Sequence, residues 1–168
     1  YNEKRRLELD VNKVDKDHHD HFLNGAIFEV YDKTLDKYVT TLASGQLMII
    51  GDSPDEEYEI AKDEDFTKIV KKVKTDENKK IILDIDDGTY YSRKSGSDEV
   101  TKHVSKDGKA VLSDAIYGHE YEFKEIKAPT SYQLADKTKA YKVEADEETD
   151  TIIYYFENAR IVVPNTGV

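Results

Sequence analysis

Three polar residues fall where strand periodicity calls for apolar ones. In LELDVNKVD, Leu7, Leu9 and Val11 alternate, and the next residue in that phase is Lys13, whereas Lys16 falls on the opposite phase. In GHEYEFKEIKAP, Tyr121 and Phe123 alternate, and the phase runs on to Glu125 just before Ala128 and Pro129. In TIIYYFENA, Ile152, Tyr154 and Phe156 lead to Asn158. Strand side chains alternate between two faces, so each pattern aims a polar group at the core. Singly, each has an ordinary explanation: a strand end turned to solvent, a lysine that snorkels, a Lys–Glu pair, or an asparagine that caps a turn.

Together, a lysine, a carboxyl group and a carboxamide suffice for an intramolecular transamidation. Desolvation disfavours an ammonium, so a lysine carried into an apolar core loses its proton more readily. The same desolvation favours a carboxyl group in its neutral acid form. Neutral Lys13 Nζ could then attack the side-chain carbonyl of Asn158. Glu125, as the acid, would hydrogen-bond that carbonyl, stabilise the developing oxyanion and shuttle a proton to the leaving ammonia. Folding supplies the proximity. The product is a Lys13–Asn158 isopeptide bond, made once, without cofactor or metal.

The elements that would hold these residues are mostly strands. Twelve tyrosines, Thr/Val/Ile clusters and frequent turn residues favour β structure. Strands are expected over 7–14, 26–32, 38–42, 46–50, 80–85, 89–93, 110–112, 120–126, 139–144 and 151–158, with turns at Asn24-Gly25, Asp87-Gly88 and Asp107-Gly108. The stretch 63–74 reads as a short helix with Phe66, Ile69, Val70 and Val73 on one face. A weak internal echo links 75–93 to 105–125. The expected fold is an all-β sandwich over 1–160, with an inserted β-rich segment at about 43–104 and a linker over 161–168.

The same three segments resemble the CnaB-type (Cna protein B-type) domain of Gram-positive surface adhesins and pilins. LELDVNKVDKD with FLNGAIFEVYD is similar to the family's lysine strand and the Leu-x-Gly-Ala-x-Phe strand after it. DGKAVLSDAIYGHEYEFKEIKAPTSYQL is similar to its Glu-x-x-Ala-Pro-x-Gly-Tyr stretch, and IIYYFENAR to its terminal asparagine strand. The resemblance implies an immunoglobulin-like Greek-key β-sandwich, with Lys13 and Asn158 as the bonded pair and Glu125 as the catalytic acid. Two positions depart from the pattern: Ser131 stands where the family has glycine, and His119 precedes the Glu120-Tyr121 start of the strand.

A second motif lies at the C-terminal end. Val163, Pro164, Asn165, Thr166 and Gly167 resemble the Leu-Pro-x-Thr-Gly signal read by sortases. That resemblance implies cleavage between Thr166 and Gly167 and transfer of Thr166 to cell-wall peptidoglycan or a neighbouring pilin subunit. The apolar helix and basic tail that follow such signals are absent from this sequence, which reads as a piece of a longer chain. The implied location is the cell-wall-anchored surface of a Gram-positive bacterium.

Composition narrows the remaining classes. A net charge of −11 with interspersed signs argues against nucleic acid and anionic membrane as partners. The absence of cysteine excludes disulfides and thiolate metal sites. In DHHDH, His18, His19, Asp20 and His21 are adjacent on an expected loop and point in alternating directions, which suits a polar loop better than a metal site. The leading expectation is a structural stalk or anchor-proximal domain stiffened by its own cross-link, and not an enzyme with turnover. The alternative is an adhesin module whose 43–104 insertion contacts a host or matrix molecule.

Overall fold

The computed structural model describes residues 4–162, so the motif from Val163 to Gly167 lies outside the described residues. The strands are β1 (Arg6–Asp15), β2 (Ile27–Asp32), β3 (Lys37–Ala43), β4 (Leu47–Ile50), β5 (Glu57–Ala61), β6 (Ile69–Lys74), β7 (Lys80–Leu83), β8 (Gly88–Lys94), β9 (Thr101–Ser105), β10 (Lys109–Ile116), β11 (Glu120–Lys127), β12 (Lys139–Lys142) and β13 (Thr151–Asn158). Among the described residues no helix forms, and none is long and apolar enough to cross a membrane.

Alternation builds a core between two sheets, ordered β10-β1-β13 and β12-β11-β2-β3. Leu7, Leu9 and Val11 of β1 and Phe156 of β13 share that core with Phe28 and Val30 of β2, Tyr121 and Phe123 of β11, Tyr141 and Val143. Phe28 sets its ring edge-on to Phe156 at 4.9 Å and to Phe123 at 5.7 Å. Each such fully buried apolar side chain stabilises the fold by roughly 1.5–3 kcal/mol. β1 is the central strand of its sheet, antiparallel to β10 and parallel to β13. That parallel pairing requires the chain to cross from β12, in the opposite sheet, to β13.

Residues between β3 and β10 form a two-stranded sheet, β4-β7, and a four-stranded sheet, β6-β5-β8-β9. They carry a separate apolar cluster of Leu47, Ile49, Ile60, Ile81 and Tyr90.

The helix expected over 63–74 does not form. Asp63 accepts hydrogen bonds from the backbone N–H of Thr67 and Lys68 and from the Thr67 hydroxyl, which closes a tight turn. Phe66 sits in the left-handed region at φ 57°, where no helix continues. Ile69–Lys74 then pairs with β5 as a strand, in keeping with its β-branched residues. Phe66 is buried beneath the Arg93 guanidinium at 4.1 Å, while Ile69 and Val70 face solvent. The apolar residues therefore never shared a face. Strands β5 and β9 were also not anticipated.

Two backbone positions bear on the site described below. Gly108 turns with φ 66°, and a Cβ there would lie 2.2 Å from that of Phe22; its carbonyl accepts the Lys13 N–H at 2.7 Å. Ser131 adopts φ 73°. A side chain in that region costs roughly 1–2 kcal/mol, partly offset in glycine by the entropy it loses on folding. Ser131→Gly should therefore raise stability by about 0.5–1 kcal/mol, read as an increased denaturation midpoint with an unchanged slope.

Candidate functional site

Register brings the three sequence-predicted residues together. In the parallel β1–β13 pair Lys13 lies opposite Phe156 and Asp15 opposite Asn158, so Lys13 and Asn158 occupy one face, two residues apart diagonally. In the opposing sheet Glu125 pairs with Phe28, whose ring meets Phe156. All three side chains are enclosed at one end of the core, with Lys13 0%, Asn158 2% and Glu125 3% exposed.

The carboxamide of Asn158 donates both N–H groups, to Glu125 Oε1 at 2.7 Å and to the Gln133 carbonyl at 2.7 Å. Because the Gln133 carbonyl can only accept, this contact fixes which end of the amide is nitrogen. Glu125 Oε1 also accepts the Ala135 N–H at 3.0 Å. Lys13 Nζ donates to the Phe156 carbonyl at 2.8 Å and lies 5.1 Å from the centroid of its ring. Glu125 Oε2 and Asn158 Oδ1 are buried without a hydrogen-bond partner. An orphaned buried acceptor costs about 1–3 kcal/mol.

Burial pulls the Lys13 pKa down from 10.5 to about 8; the negative charge of Glu125 opposes the shift, the Lys139 ammonium assists it, and Glu157 and Asp15 oppose it. A substantial neutral fraction therefore exists just above neutral pH, which makes Nζ a usable nucleophile.

A second lysine–carboxylate group shows what burial contributes. On the outer face of β1, Lys106 Nζ lies 2.6 Å from Glu8 Oε2 and 3.0 Å from Asp10 Oδ2. Partial burial there works to lower the Lys106 pKa, but hydrogen bonds to Glu8 and Asp10 outweigh it and raise the pKa. The residue types are alike, yet this lysine stays a cation in an ion pair.

Sequence periodicity did not single out the groups around the reactive three. Asp15 continues the Lys13 phase and is 2% exposed; it accepts from Tyr132 Oη at 2.7 Å, Arg160 Nε at 3.1 Å and the Asp17 N–H at 2.8 Å. The alternation of β1 carried a signal for Asp15, but nothing in the spacing joins it to Tyr132 and Arg160. In the His-rich loop, His19 stacks on Tyr155 at 5.4 Å and pairs with Glu157. Among the described residues no group of three His, Cys, Asp or Glu is placed to hold a metal.

Residues 92–160, which include β9 to β13, match the protein family described as "SpaA: Prealbumin-like fold domain". No curated protein matches the chain. Among solved structures, the chain is similar to GBS52, the minor pilin of the Gram-positive pathogen Streptococcus agalactiae, at 20% identity and TM-score 0.44 over 98% of this chain and 49% of that one. It is also similar to the group B streptococcus pilus 2b backbone protein, at 18% identity and TM-score 0.43 over 93% of this chain and 42% of that one. A third likeness is to the full-length major pilin SpaD of Corynebacterium diphtheriae, at 15% identity and TM-score 0.38, covering 95% and 32% of the two chains. The chain thus spans half or less of the length of these proteins. A shared fold does not by itself carry a shared activity.

The depressed pKa of Lys13 has a thermodynamic consequence in a chain that cannot link. Below about pH 8 the folded state bears the full cost of the buried ammonium. From pH 8 toward 10.5 the unfolded chain binds more protons than the folded one, so stability rises with pH. The stability gap between Asn158→Ala and the double variant Lys13→Met/Asn158→Ala should accordingly shift in favour of the lysine chain between pH 8 and 10, by on the order of 2 kcal/mol. A gap that does not change with pH would show that Lys13 keeps its ordinary proton affinity.

Proposed function

We propose that this chain is a structural domain of a sortase-anchored Gram-positive surface pilin or adhesin, stiffened by a self-made isopeptide bond between Lys13 and Asn158. The observation that carries this reading is the burial of Lys13, Glu125 and Asn158 at one end of the core, with the Asn158 carboxamide hydrogen-bonded to Glu125. The family match over residues 92–160 supports the same class of protein.

The chemistry follows from the hydrogen-bond accounts. One proton on Glu125 Oε2 supplies a donor where Oε2 and Asn158 Oδ1 both lack one, and permits a cyclic acid–amide pairing completed by the Nδ2–Oε1 bond. In that state the acid polarises the Asn158 carbonyl. Neutral Lys13 Nζ adds to Cγ, the Oδ1 charge is held by the Glu125 proton, and Nδ2 leaves as ammonia after collecting the proton shed by Nζ. One C–N bond forms and one breaks. The site is then consumed, so the chain turns over no substrate.

The bond would join residues about 145 positions apart. In the chain-entropy picture, closing so long a loop stabilises by about 5 kcal/mol. Its mechanical effect follows from the parallel strands. Tension entering at Arg6 and leaving beyond Asn158 would pass along β1 to Lys13 and out through the cross-link, leaving the intervening sandwich unloaded. The motif from Val163 to Gly167 would connect that stalk, through Thr166, to peptidoglycan or to the next subunit by sortase transfer.

Intact mass is the direct test. The purified chain should weigh one ammonia less than its sequence, and a tandem spectrum should join the Lys13 and Asn158 peptides. Glu125→Ala should restore the full mass and lower the denaturation free energy by about 5 kcal/mol. Full mass in the folded parent would rule the bond out.

A further inference from the structure

Asn158 is held by more than the acid that would activate it. Its second N–H goes to the main-chain carbonyl of Gln133, and the segment bearing that carbonyl has no place in a sheet. The segment is pinned from two sides. Along its length, Gln133 N–H donates to Ala159 O at 2.9 Å and Ile161 N–H to Ser131 O at 3.0 Å, with Tyr132 bridged to Arg160. From beneath, the Tyr132 hydroxyl reaches the enclosed Asp15 carboxylate, which also takes Arg160 Nε. Asp15 stands opposite Asn158 in the β1–β13 register. The hydrogen bonds from Tyr132 and Asp17, followed by Arg160, hold the Asp15 pKa below the usual carboxylate range, against the effect of burial. It is therefore a fixed anion at any pH where Lys13 reacts.

We propose that Asp15 and Tyr132 are positioning residues for amide formation: they anchor the 131–133 segment so that the Gln133 carbonyl holds Asn158 Nδ2, the leaving nitrogen, in the orientation that presents Cγ to Lys13. This rests on the isopeptide reading above. Without the Gln133 carbonyl, the carboxamide keeps only its bond to Glu125 and can rotate about its last torsion. The attack geometry is then populated for a fraction of the time, and misplacement of this kind costs rate more than stability. Asp15 has a second, electrostatic effect. The charges of Glu125 on β11, Lys139 on β12, Glu157 on β13 and Asp15 on its own strand act on Lys13. Removing the Asp15 charge removes an anion that favours the ammonium, whereas removing the Tyr132 hydroxyl leaves that charge in place.

The test follows linkage in time. Full chain isolated unfolded and unlinked is refolded by dilution at a series of pH values, and ammonia loss is read by mass. The reactive state carries one proton on the Lys13–Glu125 pair, so the parent rate should fall as that proton is lost above about pH 8. Tyr132→Phe should lower the maximal rate roughly ten- to a hundredfold without moving the falling limb. Asp15→Asn should lower the maximal rate similarly and move the falling limb to lower pH. The folded fraction of each variant is measured separately in a Lys13→Met background, which cannot link. Maximal rates equal to the parent's, or reduced only in proportion to a lost folded fraction, would overturn the proposal. So would an Asp15→Asn limb that stays in place. A parent that folds and never links would instead defeat the isopeptide reading itself.

Discussion

Taking a lysine ammonium out of water costs several kcal/mol, and at Lys13 the hydrogen-bond partner supplied in return is a main-chain carbonyl, that of Phe156. Among the described residues no carboxylate forms an ion pair with Nζ. The ammonium is left with a dipole, an aromatic ring and the more distant charges of Glu125, Glu157 and Asp15. Much of the sandwich can be understood from that imbalance. Phe28, Phe123 and Phe156 pack edge to face in the core that encloses Lys13. Burial there lowers the proton affinity of the lysine.

Lys106 marks the boundary of this logic. It belongs to the same strand-rich framework and also sits among carboxylates, but on the outer face, where water and two direct ion-pair contacts stabilise its charge. The lowered proton affinity of Lys13 is thus a property of its enclosure rather than of its residue type. The same holds for the carboxyl group. Asp15, with three hydrogen bonds, is kept an anion, while Glu125 retains an unpartnered oxygen beside an unpartnered amide oxygen.

Topology turns this local chemistry into architecture. β1 and β13, the first and last strands, run parallel at the centre and edge of one sheet. Any bond between their C-terminal ends closes nearly the whole domain into one loop. Gly108 and the 131–133 segment cap this end of the sandwich through backbone hydrogen bonds to Lys13 and to 159–161. Residues far apart in sequence thereby meet at one end of the core.

Local pattern alone determined most strands and the inward aim of Lys13, Glu125 and Asn158, because alternation in a half-buried strand is a direct record of which face meets the core. It failed over 63–74, where helical spacing of Phe66, Ile69, Val70 and Val73 competed with β-branched propensity; pairing with β5 and the Asp63 turn decided the outcome. It also could not foresee that Asp10 and Asn12, polar residues on the outer phase of β1, are buried. The lysines that meet Asp10, Lys106 and Lys109, come from another part of the chain. Above all, spacing has no information about the parallel β1–β13 register or about Tyr132 reaching Asp15. Those are long-range pairings, and a side chain's chemistry there depends on which partners arrive. The sequence carried the three residue types; the tertiary structure decided that all three are enclosed at one end of the core and that, among the described residues, no carboxylate forms an ion pair with Lys13.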